Sequence, residues 1–177
     1  MPPPLKVELV AHDPHWAEAA KAEGELLGAA LGPVLLAVHH IGSTAIPTIC
    51  AKPILDLMPV VTSLERLDEC RPLLEGVGYQ WWGEFGLAQR RYCTKDDPGS
   101  GRRRVQLHCY PSGCAEITRH LAFRDYLQSR PDLAREYEQE KRRCQARHPD
   151  NSHAYGDCKG EWITPIENQA LAWRAAH

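Results

Sequence analysis

The sequence predicts an α/β (α+β) fold: a mixed β-sheet flanked by helices, with a C-terminal helical segment from about residue 114. Three observations carry this. Two apolar runs of strand length, VLLAVHHI at 34–41 and PILDLMPVV at 53–61, lie between amphipathic stretches in the first half of the chain. RVQLHCY at 104–110 alternates cleanly, with Val105, Leu107 and Cys109 on one face and Gln106 and His108 on the other. From about 114 onward the apolar spacing is helical. Helix, strands with one inserted helix, then several helices is the order of a sheet covered mainly by helices. A length of 177 residues favours one domain, 1–177, large enough for an ordinary core.

The elements follow in order. LKVELV at 5–10 reads as a short strand or extended arm. Asp13-Pro14 gives an N-cap and a proline at the first helical position. Trp16, Ala19, Ala20, Leu26, Leu27, Ala30 and Leu31 follow at helical spacing, and Gly32-Pro33 stops that helix. The run 34–41 has the look of a strand covered on both faces. Ser63 caps one helix carrying Leu64, Leu67, Cys70, Leu73 and Leu74, and Gly76 and Gly78 end it. Residues 79–82 and 90–93 are strands joined by a loop with Gly83, Glu84 and Gly86. One indole of Trp81-Trp82 then faces the core and the other faces outward. KDDPGSG at 95–101 is an exposed turn. The tail reads as a helix over 114–128, a second from the Ser129-Arg130-Pro131-Asp132 cap to about 147, a third near Asp150, and a last one opened by Thr164-Pro165.

Composition narrows the function classes. The chain is 43% apolar and 25% charged, as in a soluble globular protein. A net charge of -2 gives no general case for DNA or membrane binding, although Arg90-Arg91 and Arg102-Arg103-Arg104 make a basic middle. No run approaches the roughly 18 apolar residues that span a bilayer. Met1-Pro2-Pro3-Pro4 lacks the charged start and apolar stretch of a signal peptide. The seven cysteines, at 50, 70, 93, 109, 114, 144 and 158, include no CxxC pair and read as reduced, buried thiols. The expectation is a cytoplasmic protein with no membrane partner. Its oligomeric state is open.

Chemistry concentrates in HIGSTAIPTICAKPILDLM, residues 40–58. Gly42 can adopt backbone angles closed to other residues and presents no side chain, so a phosphate can approach the backbone after it. Ser43 and Thr44 add hydroxyl donors. Such a turn alone is weak evidence, because most Gly-Ser-Thr turns are only turns. Asp56 sharpens it: a carboxylate inside an apolar strand is costly without a cation or metal. Lys52 is the nearby cation in sequence. His40 alternates with His39, and His108 lies on the polar face of its strand, suited to acid–base work, metal ligation or phosphate binding.

A hydrophobic-Gly-Ser turn followed after nine to thirteen residues by Asp-hydrophobic-acid is the signature of the nucleotidyltransferase superfamily. More specifically, HIGSTAIP with AKPILDLM resembles the GrpB family, some members of which are fused to dephospho-CoA kinase. The resemblance runs on through GEFGLAQRRYCTKDDPG at 83–99, VQLHCY at 105–110, RHLAFRDYLQSRPDLAREYEQEKR at 119–142 and the Tyr155–Lys159 region. It implies a nucleotidyltransferase-like fold and a mostly uncharacterised activity. Read together with the residue chemistry above, the expected cleft has Gly42, Ser43, Thr44, Lys52, Arg91 and Lys159, the last matching the family's Tyr-x-x-x-Lys pattern, binding substrate or phosphate, and Asp56 and His108 as catalytic residues. His40, Glu84, His120 and Arg124 stand around it as further candidates; His120 and Arg124, four apart, share a helix face.

One departure matters. Nucleotidyl transfer normally uses two divalent ions held by carboxylates. Met58 stands where the second acid is expected, and a thioether is no ligand for a hard cation. The metal expectation is therefore one Mg2+ at most, on Asp56, with His108 and Glu84 as helpers. Some members of the family carry an acid at this place and others do not. Three functions stay open: a transferase acting on a nucleotide or other phosphate-bearing substrate, a metal-independent acyl or aminoacyl transfer enzyme with a tRNA-borne donor, and a non-catalytic ligand-binding module.

Overall fold

The computed structural model describes residues 1–177. Its strands are β1 (Leu35–Ile41), β2 (Leu55–Val61), β3 (Tyr79–Trp81), β4 (Arg91–Asp96) and β5 (Arg103–Pro111), in the spatial order β1-β2-β5-β4-β3. β2 and β5 run parallel, and every other neighbouring pair is antiparallel, so the sheet is mixed as expected. β1 corrects one expectation. It is an edge strand with Leu36 55% exposed, so it is not covered on both faces. Its apolar run reflects one strand neighbour and helix packing rather than a central position.

The helices are α1 (His15–Leu31), α2 (Leu64–Glu69), α3 (Arg71–Gly76), α4 (Ala115–Ser129), α5 (Pro131–Arg147) and α6 (Ser152–Ala175). The alternation of β5 divides them into two layers. Val105, Leu107 and Cys109 join Leu55, Leu57, Trp16, Leu27, Leu67 and Leu74 in the core on one face. On the other face α4, α5 and α6 pack around Tyr126, Leu127, Tyr137, Ile166 and Ala170. Met58 also belongs to that second face, fully buried with Ile41 and Tyr110.

Local chemistry shifts several boundaries. Asp13 Oδ1 accepts from the His15 N–H at 2.9 Å, but Pro14 occupies the cap position, one residue later than expected. Ser63 caps α2 through the Arg66 N–H as expected. The single helix expected there is two, because Pro72 has no N–H to continue the ladder past Cys70. In the tail two expected helices are one. Pro165 lies inside α6, the Thr164 hydroxyl donates to the Gly160 carbonyl, and burial of Ile166 and Ala170 holds the helix through the break. Asn151 caps α6 through the His153 and Ala154 N–H groups. Trp81 packs on the first core, and Trp82 turns to the other face, where its Nε1 donates to Thr94 at 2.8 Å.

Residues 5–10 form an arm rather than a strand. Val10 bridges Ala51, the Val7 N–H donates to the Pro149 carbonyl, and Leu5 exchanges bonds with Ser152. The arm ties the connector before β2 to the α5–α6 corner. The cysteine expectation is also corrected: Cys144 and Cys158 form a disulfide across α5 and α6, with Cα atoms 5.8 Å apart. They lie 14 positions apart in the sequence, so no sequence motif announces the pair. The other five remain free thiols.

Candidate functional site

The site begins where β1 ends. Ile41 lies opposite Asp56 of β2, and Gly42, at φ 71°, swings the chain out of the strand into a tight turn over Ser43–Ala45. A Cβ on residue 42 would come within 2.8 Å of Asp56 Oδ2. Gly42 thus serves two needs at once, positive φ and room for the carboxylate.

The turn is braced from inside. His40 Nε2 and Thr44 Oγ1 are 2.8 Å apart, and Thr44 is buried. Burial pushes the His40 imidazole down to about 4, so it is neutral and acts as a hydrogen-bonding strut. Arg124 of α4 donates to the His40 carbonyl at 3.1 Å and pairs with Asp125. His40 and Arg124 therefore support the turn from behind. Ser43 Oγ meets the buried Tyr137 hydroxyl at 3.4 Å, a long and weak bond that leaves the serine free to turn.

Asp56 and His108 come together across parallel β2 and β5, with Asp56 Oδ1 3.0 Å from His108 Nε2. Burial opposes the charge on Asp56, but the His108 hydrogen bond and the positive charges of Lys52 and Lys159 prevail and hold its carboxyl below the usual range. The rings of Tyr92 and His120 lie 5.3 and 5.9 Å from that of His108. Burial pushes His120 down to about 3, so it is a neutral neighbour. His108 Nδ1 and Tyr110 Oη are buried without a partner.

Asp56 opens onto a cavity of about 140 Å³, lined also by Ser43, Thr44, Lys52, Gln106, Lys141, Tyr155 and Lys159. Asp56 is the only acid in that lining, and three lysines surround it. Each comes from a different element: Lys52 from the connector before β2, Lys141 from α5, Lys159 from α6. Burial, then the charge of Lys159, pushes Lys52 down to about 8 and Lys141 to about 7. Burial likewise takes Lys159 to about 8, against the pull of Asp56. The Tyr155 ring lies 4.6 Å from Lys159 Nζ and 5.5 Å from Lys52 Nζ, a weak cation–π support. Lys141 Nζ donates to the Cys50 carbonyl. The cavity is thus built positive and short of counter-charge, an arrangement that a bound polyanion relieves.

The expected residues divide plainly. Gly42, Ser43, Thr44, Lys52, Asp56, His108 and Lys159 converge on the cavity or its floor. Arg91 does not. It pairs in register with Cys109, so its side chain leaves on the α2 face, where Nε and Nη2 grip Asp68 at 2.7 and 2.9 Å. Glu84 is exposed on its loop, where it accepts from the Gln89 N–H at 3.1 Å. The basic run is matched too: Arg102 reaches Glu8, Arg103 pairs with Asp96, and Arg104 with Asp97. Lys141 and Tyr155 were not singled out as cavity groups by sequence reasoning. Lys141 lies among charged neighbours in EYEQEKRR, and only the packing of α5 against the Cys50 connector reveals it as the buried member.

Magnesium is the metal that the resemblance implies. The residues present do not fit a resident ion. Asp56 is one carboxylate, bonded to His108 and ringed by lysines, and Met58 is sealed in an apolar cluster with no oxygen to offer. No helix of the protein is long and apolar enough to cross a membrane.

Comparison with known proteins adds the family context. The profile described as GrpB protein matches residues 6–169. The UPF0157 protein YqkA of Bacillus subtilis is 41% identical over 172 residues, covering 97% of this chain and 49% of its own length, so the chain spans about half of that relative. The crystal structure of the conserved protein GrpB from Enterococcus faecalis superposes with a TM-score of 0.87 at 37% identity, covering 94% of this chain and 99% of that one. The Cid1 poly(U) polymerase with magnesium and 3'-dATP bound superposes with a TM-score of 0.56 at 12% identity, over 85% of this chain and 49% of that one. That last likeness shows the fold alone, which is nucleotidyltransferase-like.

Proposed function

The chain belongs to the GrpB family, and on that premise we propose that it is a transferase that binds a phosphate-bearing substrate in the lysine-lined cavity between the Gly42-Ser43 turn and Asp56. The observation that carries this reading is the convergence of Lys52, Lys141 and Lys159 on a cavity whose single acid is Asp56. Three ammonium groups, Lys141 buried and Lys52 and Lys159 half-buried, without matching carboxylates are stabilised by a ligand that brings several negative charges. Ser43 donates to a phosphate oxygen once it leaves Tyr137. Asp56 orients the attacking hydroxyl or amine and receives its proton, while His108, hydrogen-bonded to Asp56 Oδ1, holds that carboxylate in place. As the new bond forms, the bond to the rest of the phosphate chain breaks, and the lysines stabilise the charge on the transferred group and on the phosphate anion that leaves.

The test is a thermal-shift and calorimetric titration with inorganic tripolyphosphate. Binding by the wild type, weakened at least tenfold in Lys159→Met and Lys141→Met, is the expected result. A wild-type protein that binds neither tripolyphosphate nor any nucleoside triphosphate would falsify the reading.

A second reading, metal-independent acyl or aminoacyl transfer, is favoured by one specific observation. Asp56 and His108 form a hydrogen-bonded pair, and Met58 leaves no second acid beside them. A tRNA-borne donor would need free positive surface, whereas Arg102, Arg103 and Arg104 each face an acid. Salt-sensitive tRNA retention that weakens when these three are neutralised would support it. No retention at low salt would remove the tRNA arm.

A further inference from the structure

A second cavity, of about 150 Å³, adjoins the lysine-lined one and shares Lys52 and Gln106 with it. Its character differs. Phe85, Tyr92 and His153 contribute rings, and Arg103 contributes a cation already paired with Asp96. The Phe85 and Tyr92 rings are stacked, with centroids 4.9 Å apart and planes within 15°, so one fixes the plane of the other. The His153 ring lies 6.4 Å from Phe85.

The backbone is shaped to present Phe85. It sits at φ 48°, a left-handed conformation that a bulky residue rarely adopts. The buried Arg90 holds it there, donating to the Glu84 and Phe85 carbonyls while its guanidinium lies 5.7 and 5.1 Å from the Phe85 and Tyr92 rings. The side chains of Gln106 and His153 make no hydrogen bond within the protein, so both are free for a ligand. A flat wall, two unengaged polar groups and a junction at Lys52 suit a ring attached to a charged chain.

From this juxtaposition we infer that the second cavity is a ring-binding subsite: the ligand is a nucleotide whose heterocycle lies against Phe85 while its phosphates occupy the lysine-lined cavity. Gln106, which lines both cavities, meets the sugar between them. Phe85 and His153 are then specificity-determining residues. The inference rests on the phosphate reading above, and the experiment separates the two.

Calorimetric titrations compare ATP with tripolyphosphate, in wild type and in Phe85→Leu, Phe85→Tyr and Lys159→Met, each first shown to melt cooperatively. The expected result is that wild type binds ATP about tenfold more tightly than tripolyphosphate, the scale of one stacked base. Phe85→Leu should erase that preference and leave tripolyphosphate binding unchanged. Phe85→Tyr should keep it, and Lys159→Met should weaken both ligands. If wild type and Phe85→Leu bind ATP and tripolyphosphate alike, the subsite is refuted while the phosphate reading stands. If wild type binds neither, both fall.

Discussion

Gly42 and Asp56 face each other so closely that the space above residue 42 belongs to the Asp56 carboxylate. The 2.8 Å approach of a Cβ to Oδ2 would force one of them to move. The Gly-Ser turn and the strand aspartate are therefore one unit, fixed by the antiparallel register that sets Ile41 against Asp56.

Gly42→Ala should accordingly damage more than backbone geometry. Positive φ costs alanine about 1 kcal/mol, and displacement of Asp56 from His108 adds to that. The expected outcome is a lower melting temperature together with loss of tripolyphosphate binding. A variant that binds normally would separate the turn from the carboxylate.

Lys141 is the fully buried one of the three cavity lysines, and its removal should have opposite effects on stability and on binding. Lys141→Met replaces a desolvated ammonium with an apolar chain of similar length, at the loss of one bond to the Cys50 carbonyl. The free protein should melt at the same temperature or higher, while tripolyphosphate affinity falls at least tenfold. Differential scanning calorimetry with and without ligand reads both.

The lysines also set a pH dependence. Lys141 lies at about 7 in the fold against an ordinary 10.5. Between those values the unfolded chain binds more protons than the folded one, so this lysine's contribution raises stability as pH climbs from 7 towards 10. A bound polyanion favours the charged form, so binding at pH 8 should take up protons, and affinity should fall as pH rises from 7 to 9. Titrations in buffers of different ionisation enthalpy measure the uptake, which should shrink in Lys141→Met.

The histidines act at the other end of the scale. His40 and His120, pushed by burial to about 4 and about 3, stay neutral in the fold below the pH at which free histidine protonates. The unfolded chain then binds more protons, so stability is lost as pH falls from about 6.5. Each contributes on the order of 1 kcal/mol per pH unit at most. His120→Phe should flatten part of the acid limb of a pH–melting curve; an unchanged limb would assign the loss to carboxylates instead.

Arg91→Ala should leave tripolyphosphate binding unchanged, because its guanidinium is clamped to Asp68 behind the sheet. Its cost should appear only in stability, at about 1 kcal/mol, and Asp68→Ala should match it. A tenfold loss of affinity would mean that the residue reaches the cleft after all.

Much of this architecture was legible because period-2 and period-3.6 patterns are local. The alternation in RVQLHCY assigned Gln106 and His108 to one face, and that face is the one on which Asp56 lies. The Ser63 and Pro131 helix starts were readable for the same reason. What failed depended on tertiary choice. Arg91 and Arg90 are neighbours in sequence, and only the strand register says which of them leaves towards α2. The continuous helix through Pro165 is decided by the burial of Ile166 and Ala170, against local propensity. Lys141 is one charge among many on α5, and its burial follows from where that helix docks.

The arm at residues 5–10 has a practical corollary for anyone preparing this protein. It is the stitch between the connector carrying Cys50 and Lys52 and the corner from which α6 brings Tyr155 and Lys159. Trimming those residues to improve crystals, or fusing a bulky tag close against them, would leave the lysines anchored on two unbuttoned halves.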